Sequence, residues 1–289
     1  MRLFLFLFLG LVLSTTALAG VFTPKVIYGN DDRSDVYETK NANLVALADA
    51  TAGMFPASKL KLNAQGRYDY DKETFGQSYG TCDDEPFRDQ PAAAVCSGFL
   101  VGDDLLATAG HCVDSEQDCR ANSWVFGYRM QDPKHAPDDF EADQVYRCKA
   151  VIKTEQSSRG QDYSLIRLDR PVRGARPLTL RKQGLLPVGE PLFVIGHPMG
   201  LPTKVAGGAK VRRWDTSKSF FVANLDTYGG NSGSAVFNEK TLEVEGILVR
   251  GERDMVSSGG CSRSNTCADG SCRGEDVTAI SYIQKLIAP

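Results

Sequence analysis

Short stretches in which apolar and polar residues alternate recur along this chain. Trp124, Phe126 and Tyr128 make one; Tyr146, Cys148, Ala150 and Ile152 make another; Leu242 and Val244 alternate with Glu243 and Glu245. A period of two sends successive side chains to opposite faces, so each stretch reads as a β-strand with one wet face. Between them lie turn-forming clusters, among them Val101-Gly102-Asp103-Asp104, Gln131-Asp132-Pro133 and Gly207-Gly208. Strands punctuated in this way predict an all-β body of the antiparallel sandwich or barrel kind. One helix is expected, at the C-terminal end, where Val277, Ile280, Ile283 and Ile287 recur every three or four residues behind the acidic pair Glu275-Asp276. The Pro- and Arg-rich connector 171–177 follows the apolar Leu165-Ile166-Arg167-Leu168 and is the expected boundary between two units. The weakly patterned region from Tyr28 to Pro91 is expected to wrap the body as irregular structure, with Cys82 as a staple.

The composition supports a folded chain: 289 residues, 42% hydrophobic and 24% charged. The net charge of −3 and the lack of a dense Lys/Arg cluster argue against nucleic acid as a partner. Arg2, the apolar run 3–13 and Ala17-Leu18-Ala19 form a signal peptide, 1–19, with cleavage expected after Ala19. No later apolar run approaches the length of a membrane span, so after cleavage no membrane association is expected and the product is secreted or periplasmic, a monomer. All eight cysteines lie beyond the cut, an even number in an exported chain, and disulfides are their expected use. The Cys261, Cys267, Cys272 spacing has no tight Cys-x-x-Cys, and His-Glu-x-x-His is absent, so neither a metal nor another cofactor is expected.

Gly230-Asn231-Ser232-Gly233-Ser234 places a serine among glycines, which let backbone amides approach a substrate closely. A nucleophilic serine needs a base, and the three histidines, His111, His135 and His197, all precede Ser232. That order excludes the α/β-hydrolases, where the histidine follows the serine and a glycine stands two residues beyond it; here that place is Ser234. His135 reads as an exposed loop residue and His197 as a structural residue in a turn. His111, in Thr108-Ala109-Gly110-His111-Cys112, is the candidate base. Asp162, heading the apolar strand Tyr163-Ser164-Leu165-Ile166, is the candidate carboxylate that would orient it.

These three motifs, in the order His111, Asp162, Ser232, resemble those of the chymotrypsin-like (trypsin-like) serine endopeptidases, from about Cys96 onward. Within that family the chain is most similar to the bacterial glutamyl endopeptidases, because Asn231 precedes the serine and Val26-Ile27-Tyr28-Gly29 is like their mature N-terminus. The resemblance implies two antiparallel six-stranded β-barrels with the active site in the cleft between them. The division is then a 20–90 N-terminal extension holding a short pro-segment at 20–25, a first barrel at 91–172, and a second barrel with the C-terminal helix at 178–289. It implies His111 as general base and acid, Asp162 as its orienter, Ser232 as nucleophile, and the N–H groups of Gly230 and Ser232 as oxyanion hole. It also implies a Cys96–Cys112 disulfide bracing the histidine loop; Cys119–Cys148 is the second expected pair, and the pairing of Cys82, Cys261, Cys267 and Cys272 stays open.

The expected activity is hydrolysis of peptide bonds in protein or peptide substrates through an acyl-enzyme. A catalytically silent protease-like binding protein is the alternative. For specificity, Thr227 fits the glutamyl pattern, but that group also uses a histidine on the strand after the nucleophile, and no histidine follows Ser232. Asp226 stands where trypsin-like enzymes place the carboxylate at the floor of the primary pocket. Cleavage after Arg or Lys is therefore expected, with Arg250 placed either to pair with Asp226 or to contact substrate.

Overall fold

The computed structural model describes residues 27–157, 160–217 and 219–287. The expected signal peptide, 1–19, and the 20–25 pro-segment lie outside the described residues. Thirteen strands carry the architecture: β1 (Arg33–Asp35), β2 (Thr51–Pro56), β3 (Cys96–Gly102), β4 (Leu105–Thr108), β5 (Asn122–Phe126), β6 (Val145–Gln156), β7 (Asp162–Leu168), β8 (Pro191–Gly196), β9 (Lys204–Trp214), β10 (Phe220–Ala223), β11 (Ala235–Asn238), β12 (Val244–Arg250) and β13 (Glu275–Ala279). The first six-stranded barrel closes in the order β7-β4-β3-β2-β5-β6. The second runs β8-β11-β12-β13-β10-β9, closes through β8 and β9, and carries β1 as a seventh strand on the edge of β9. All pairings within the two barrels are antiparallel.

The first barrel fills with Phe99, Leu106, Trp124 and Ile166, none of them exposed to solvent. Gly98 makes room for this packing, since a Cβ there would stand 2.6 Å from a Leu106 methyl and 2.7 Å from the Trp124 ring. The second barrel packs Leu192, Val211, Phe221, Val236 and Val277. Phe193, Ile195, Phe237 and Ile247 of the second barrel join the apolar cluster of the first, so the two barrels share a dry contact.

Several expectations change here. The region 20–90 is not an extension outside the barrels: β2 lies inside it, pairing Met54 with Cys96 on one side and with Trp124 on the other, so the first barrel begins at Thr51 and not at 91. This strand is buried on both faces, which removes the alternation by which strands are recognised. The helix is shorter than its apolar pattern predicts, spanning Ser281–Ile287, because Glu275–Ala279 is a strand paired to both β10 and β12. Gly207-Gly208 is no turn between strands but sits within β9, opposite a register shift in β8, with Gly208 at φ 71°. Glu245, expected on a wet face, is 2% exposed and held by Arg181 and Asn238.

Four disulfides join Cys96 to Cys112, Cys119 to Cys148, Cys82 to Cys261 and Cys267 to Cys272. The Cys82–Cys261 bond ties the irregular segment before β3 to the hairpin Met255–Ser258/Cys261–Ser264. No helix among the described residues is long and apolar enough to cross a membrane.

Candidate active site

The turn Gly110–Cys112 follows β4 directly and carries His111 at the cleft. Gly110 is required there, because a Cβ would collide with the Glu155 carbonyl of β6 and come within 3.1 Å of Asp162. Asp162, the first residue of β7, is 3% exposed and uses both oxygens on His111: Oδ1 accepts from the backbone N–H at 3.2 Å, and Oδ2 lies 2.9 Å from Nδ1. This pairing places the proton of the neutral ring on Nδ1 and leaves Nε2 as the basic nitrogen.

The loop of Ser232 is strapped to the first barrel beside that turn. Ser97 of β3 donates its N–H to the Ser232 carbonyl at 2.8 Å and its hydroxyl to the Gly230 carbonyl at 2.7 Å. The Cys112 sulfur lies 3.6 Å from the same Ser232 carbonyl. Gly230 and Gly233 have φ of 86° and 91°, a region L side chains rarely adopt. At Gly233 the space is also closed, since a Cβ would collide with the Ser97 carbonyl and the Thr108 hydroxyl. Ser232 itself is half-buried and lines a cavity of about 140 Å³.

The other histidines stand apart. His197 is wholly buried, its Nδ1 3.0 Å from the Leu201 carbonyl and its ring stacked on Tyr128; burial pushes its pKa down to about 4, so it is neutral. His135 is exposed, and its ring pairs with Asp132. Cys96, His111 and Cys112 bring their donor atoms within 4.8 Å of one another. The two sulfurs are spent in a disulfide, so this trio does not suit a metal.

Asp226 departs from its expected place. It does not line the cavity beside Ser232; its oxygens accept the N–H groups of Tyr28 at 2.7 Å and Asp32 at 2.9 Å. Burial raises its pKa to about 7. Arg250 does not reach Asp226 either. Its guanidinium crosses the cleft to the carbonyls of Ser157 and Gly160, each at 2.9 Å, lies 3.4 Å from Asp162 Oδ2, and is 3.2 Å from Asp276. Thr227 does line the cavity, and donates its hydroxyl to Glu275 at 3.2 Å.

Two cavity residues escape a reading by motif: Asp254 and Glu275. Asp254 accepts the Gly229 N–H at 2.8 Å. Burial lifts its pKa to about 6 and lifts that of Glu275 well above the carboxylate range, with Asp254 adding repulsion. In the sequence Glu275 looks like a helix-start acid, and Asp254 sits in a loop without pattern.

Comparison with known proteins agrees with this geometry. Residues 96–247, more than half of the chain, match the family described as the trypsin-like peptidase domain. Glutamyl endopeptidases of Staphylococcus aureus strains MRSA252 and MW2 are each 26% identical over 158 residues, 53% of this chain and 42% and 46% of theirs. The chain thus spans less than half the length of these curated relatives. Among solved structures, a Glu endopeptidase in complex with MPD aligns over 91% of this chain and all of its own, with TM-score 0.52 at 18% identity. The Vibrio cholerae VesB protease aligns over 89% of this chain and 66% of its own, with TM-score 0.54 at 14% identity. Two barrels of this topology, a histidine turn and a glycine-flanked serine loop meeting between them, and a matching domain over most of that span lead to one conclusion: the chain belongs to the trypsin-like peptidase family.

Proposed function

We propose that the protein is an exported serine endopeptidase in which Ser232 attacks the scissile carbonyl. His111 Nε2 takes the hydroxyl proton and later delivers it to the leaving amine, while Asp162 holds the ring and stabilises the imidazolium. The N–H groups of Gly230 and Ser232 receive the developing oxyanion. An acyl-enzyme forms on Ser232, and water releases it by the same proton path in reverse. The contact between His111 Nδ1 and Asp162 Oδ2 at 2.9 Å, beside the strapped Ser232 loop, carries this reading.

The substrate is a protein or peptide and no cofactor takes part. Export rests on the expected signal peptide and suits a chain whose eight cysteines are all paired. The relatives are named glutamyl endopeptidases, but the cavity beside Ser232 carries Asp254, Glu252 and Glu275, and the Arg250 guanidinium in its wall is held by Asp276 and the carbonyls of Ser157 and Gly160, so an acidic side chain would meet acidic groups there and no available cation. A basic residue, Arg or Lys, before the scissile bond is the better fit. The test is labelling with an organofluorophosphate followed by peptide mapping. A covalent adduct on Ser232, absent in Ser232→Ala and accompanied by peptide hydrolysis, is the expected result. Folded wild-type protein that neither labels nor hydrolyses would identify a silent binding protein instead.

A further inference from the structure

We infer that Glu275 and Asp254 are the specificity-determining groups of this site and form a receptor for the guanidinium of arginine or the ammonium of lysine. The inference rests on Ser232 being the nucleophile, since the cavity takes its meaning from that neighbour. Its argument is geometric. One wall is the segment Thr227–Gly229 that leads into the serine loop, the other is the end of β12 with Gly251, and Glu275 of β13 closes the space between them. Gly251 has no room for a side chain because a Cβ would collide with the Glu275 carboxylate. A substrate side chain entering past Gly251 therefore meets that carboxylate at the buried end and Asp254 nearer to solvent.

Among the described residues these two carboxylates accept from neutral donors. Glu275, 3% exposed, accepts from the Thr227 hydroxyl at 3.2 Å, the Tyr28 hydroxyl at 3.3 Å and the Glu252 N–H at 3.4 Å. Asp254 accepts from the Gly229 N–H. Among the described residues neither forms an ion pair, and the one cation in the cavity wall, Arg250, turns its guanidinium away to Asp276, Asp162 and two carbonyls of the first barrel. A buried carboxylate beside a half-buried one, with no cation against either, is costly to ionise. An arriving guanidinium or ammonium removes that cost, so recognition is paid back only by a basic side chain, and Arg can bridge both groups with its fork.

The experiment profiles a peptide library varied at the residue before the scissile bond, using wild type, Glu275→Gln and Asp254→Asn. Titration with an organofluorophosphate counts competent active sites in each preparation. Wild type is expected to cleave after Arg and Lys. Glu275→Gln should lower kcat/KM for these substrates about 100-fold, within the range for removing one partner of a buried charge pair, and Asp254→Asn, nearer to solvent, about 10-fold. Benzamidine, a cation without a scissile bond, should inhibit wild type competitively and lose affinity in Glu275→Gln, a readout independent of turnover. Sites that label normally in an enzyme that ignores Arg and Lys, or that keeps its basic preference in both variants, overturn the inference while leaving the nucleophile intact. Failure of wild type to label overturns the proposed function itself, and this inference with it.

Discussion

Lys204 offers a sharp test of how the N-terminal segment supports the site. It lies on β9, Asp35 lies on β1, and both are 2% exposed. The ammonium also donates to Gln90 at 2.6 Å and to the Pro202 carbonyl at 3.1 Å, while Gln90 donates in turn to Asp35 at 2.7 Å. The network pins β1, and with it the Tyr28 and Asp32 amides that grip Asp226, the residue before Thr227 of the cavity wall. Lys204→Met keeps the length and removes the charge, leaving Asp35 buried with Gln90 as its remaining side-chain donor. Breaking one side of a buried pair costs about 3–5 kcal/mol, so the variant should lose that much at pH 7, and Lys204→Met/Asp35→Leu should recover most of it. The pH dependence has a definite sign. Burial lowers the folded-state pKa of Lys204 from 10.5 to about 8 despite Asp35. Between those values the unfolded chain binds more protons than the folded one, so this group's contribution is present above pH 10.5 and is lost as pH falls through 8. At about 1.4 kcal/mol per pH unit the deficit of Lys204→Met should widen by about 3 kcal/mol from pH 8 to 10.5. Urea titrations followed by tryptophan fluorescence at pH 7, 8, 9 and 10 measure it. Because breaking one side of a buried pair costs at least about 3 kcal/mol, a deficit below about 1 kcal/mol at pH 7, or one that stays constant to pH 10, refutes the reasoning.

Other expected outcomes are as specific. Ser232→Ala should lower kcat about a millionfold with unchanged thermal unfolding, as removal of a triad member does, checked by peptide hydrolysis and a melting curve. Arg250→Met should lower kcat by about 10-fold or more with little change in KM for neutral substrates, because it frees Asp162, Ser157 and Gly160 from β12; equal kcat in the variant would show that the Arg250 contact with Asp162 positions nothing. Gly233→Ala should destabilise by about 3 kcal/mol or more, since it meets both a left-handed φ and the Ser97 carbonyl, and a variant melting within a degree of wild type would contradict that. Asp226, with its pKa raised from 3.8 to about 7, contributes stability that is full below pH 3.8 and lost as pH rises through 7; Asp226→Asn should flatten that fall in stability, read by denaturation at pH 4, 5.5 and 7.

The order His111, Asp162, Ser232, the glycines around the serine and the even cysteine count are local facts, and each has a local physical meaning. The chain order of the three residues marks a family, a nucleophile loop needs glycine where φ is positive, and exported cysteines pair. From these, with the resemblance they support, the two barrels and the trypsin-like peptidase family were legible in the chain itself. The strand Thr51–Pro56 was not, because burial on both faces erases the period of two. Nor was the strand Glu275–Ala279, whose Val277 and Ile280 fit a helical stripe equally well until β10 and β12 claim its backbone on both edges. The pocket charge was decided later still. Asp226 is a carboxylate at the trypsin-like position, yet it is spent on the amides of Tyr28 and Asp32, residues almost two hundred positions away in sequence. Arg250 is drawn across the cleft instead of into the pocket, and Glu275 arrives from the last strand of the barrel. Which carboxylate lines the cavity beside Ser232 depends on how distant segments pack, and only the assembled tertiary structure brings those segments and their donors within hydrogen-bonding range.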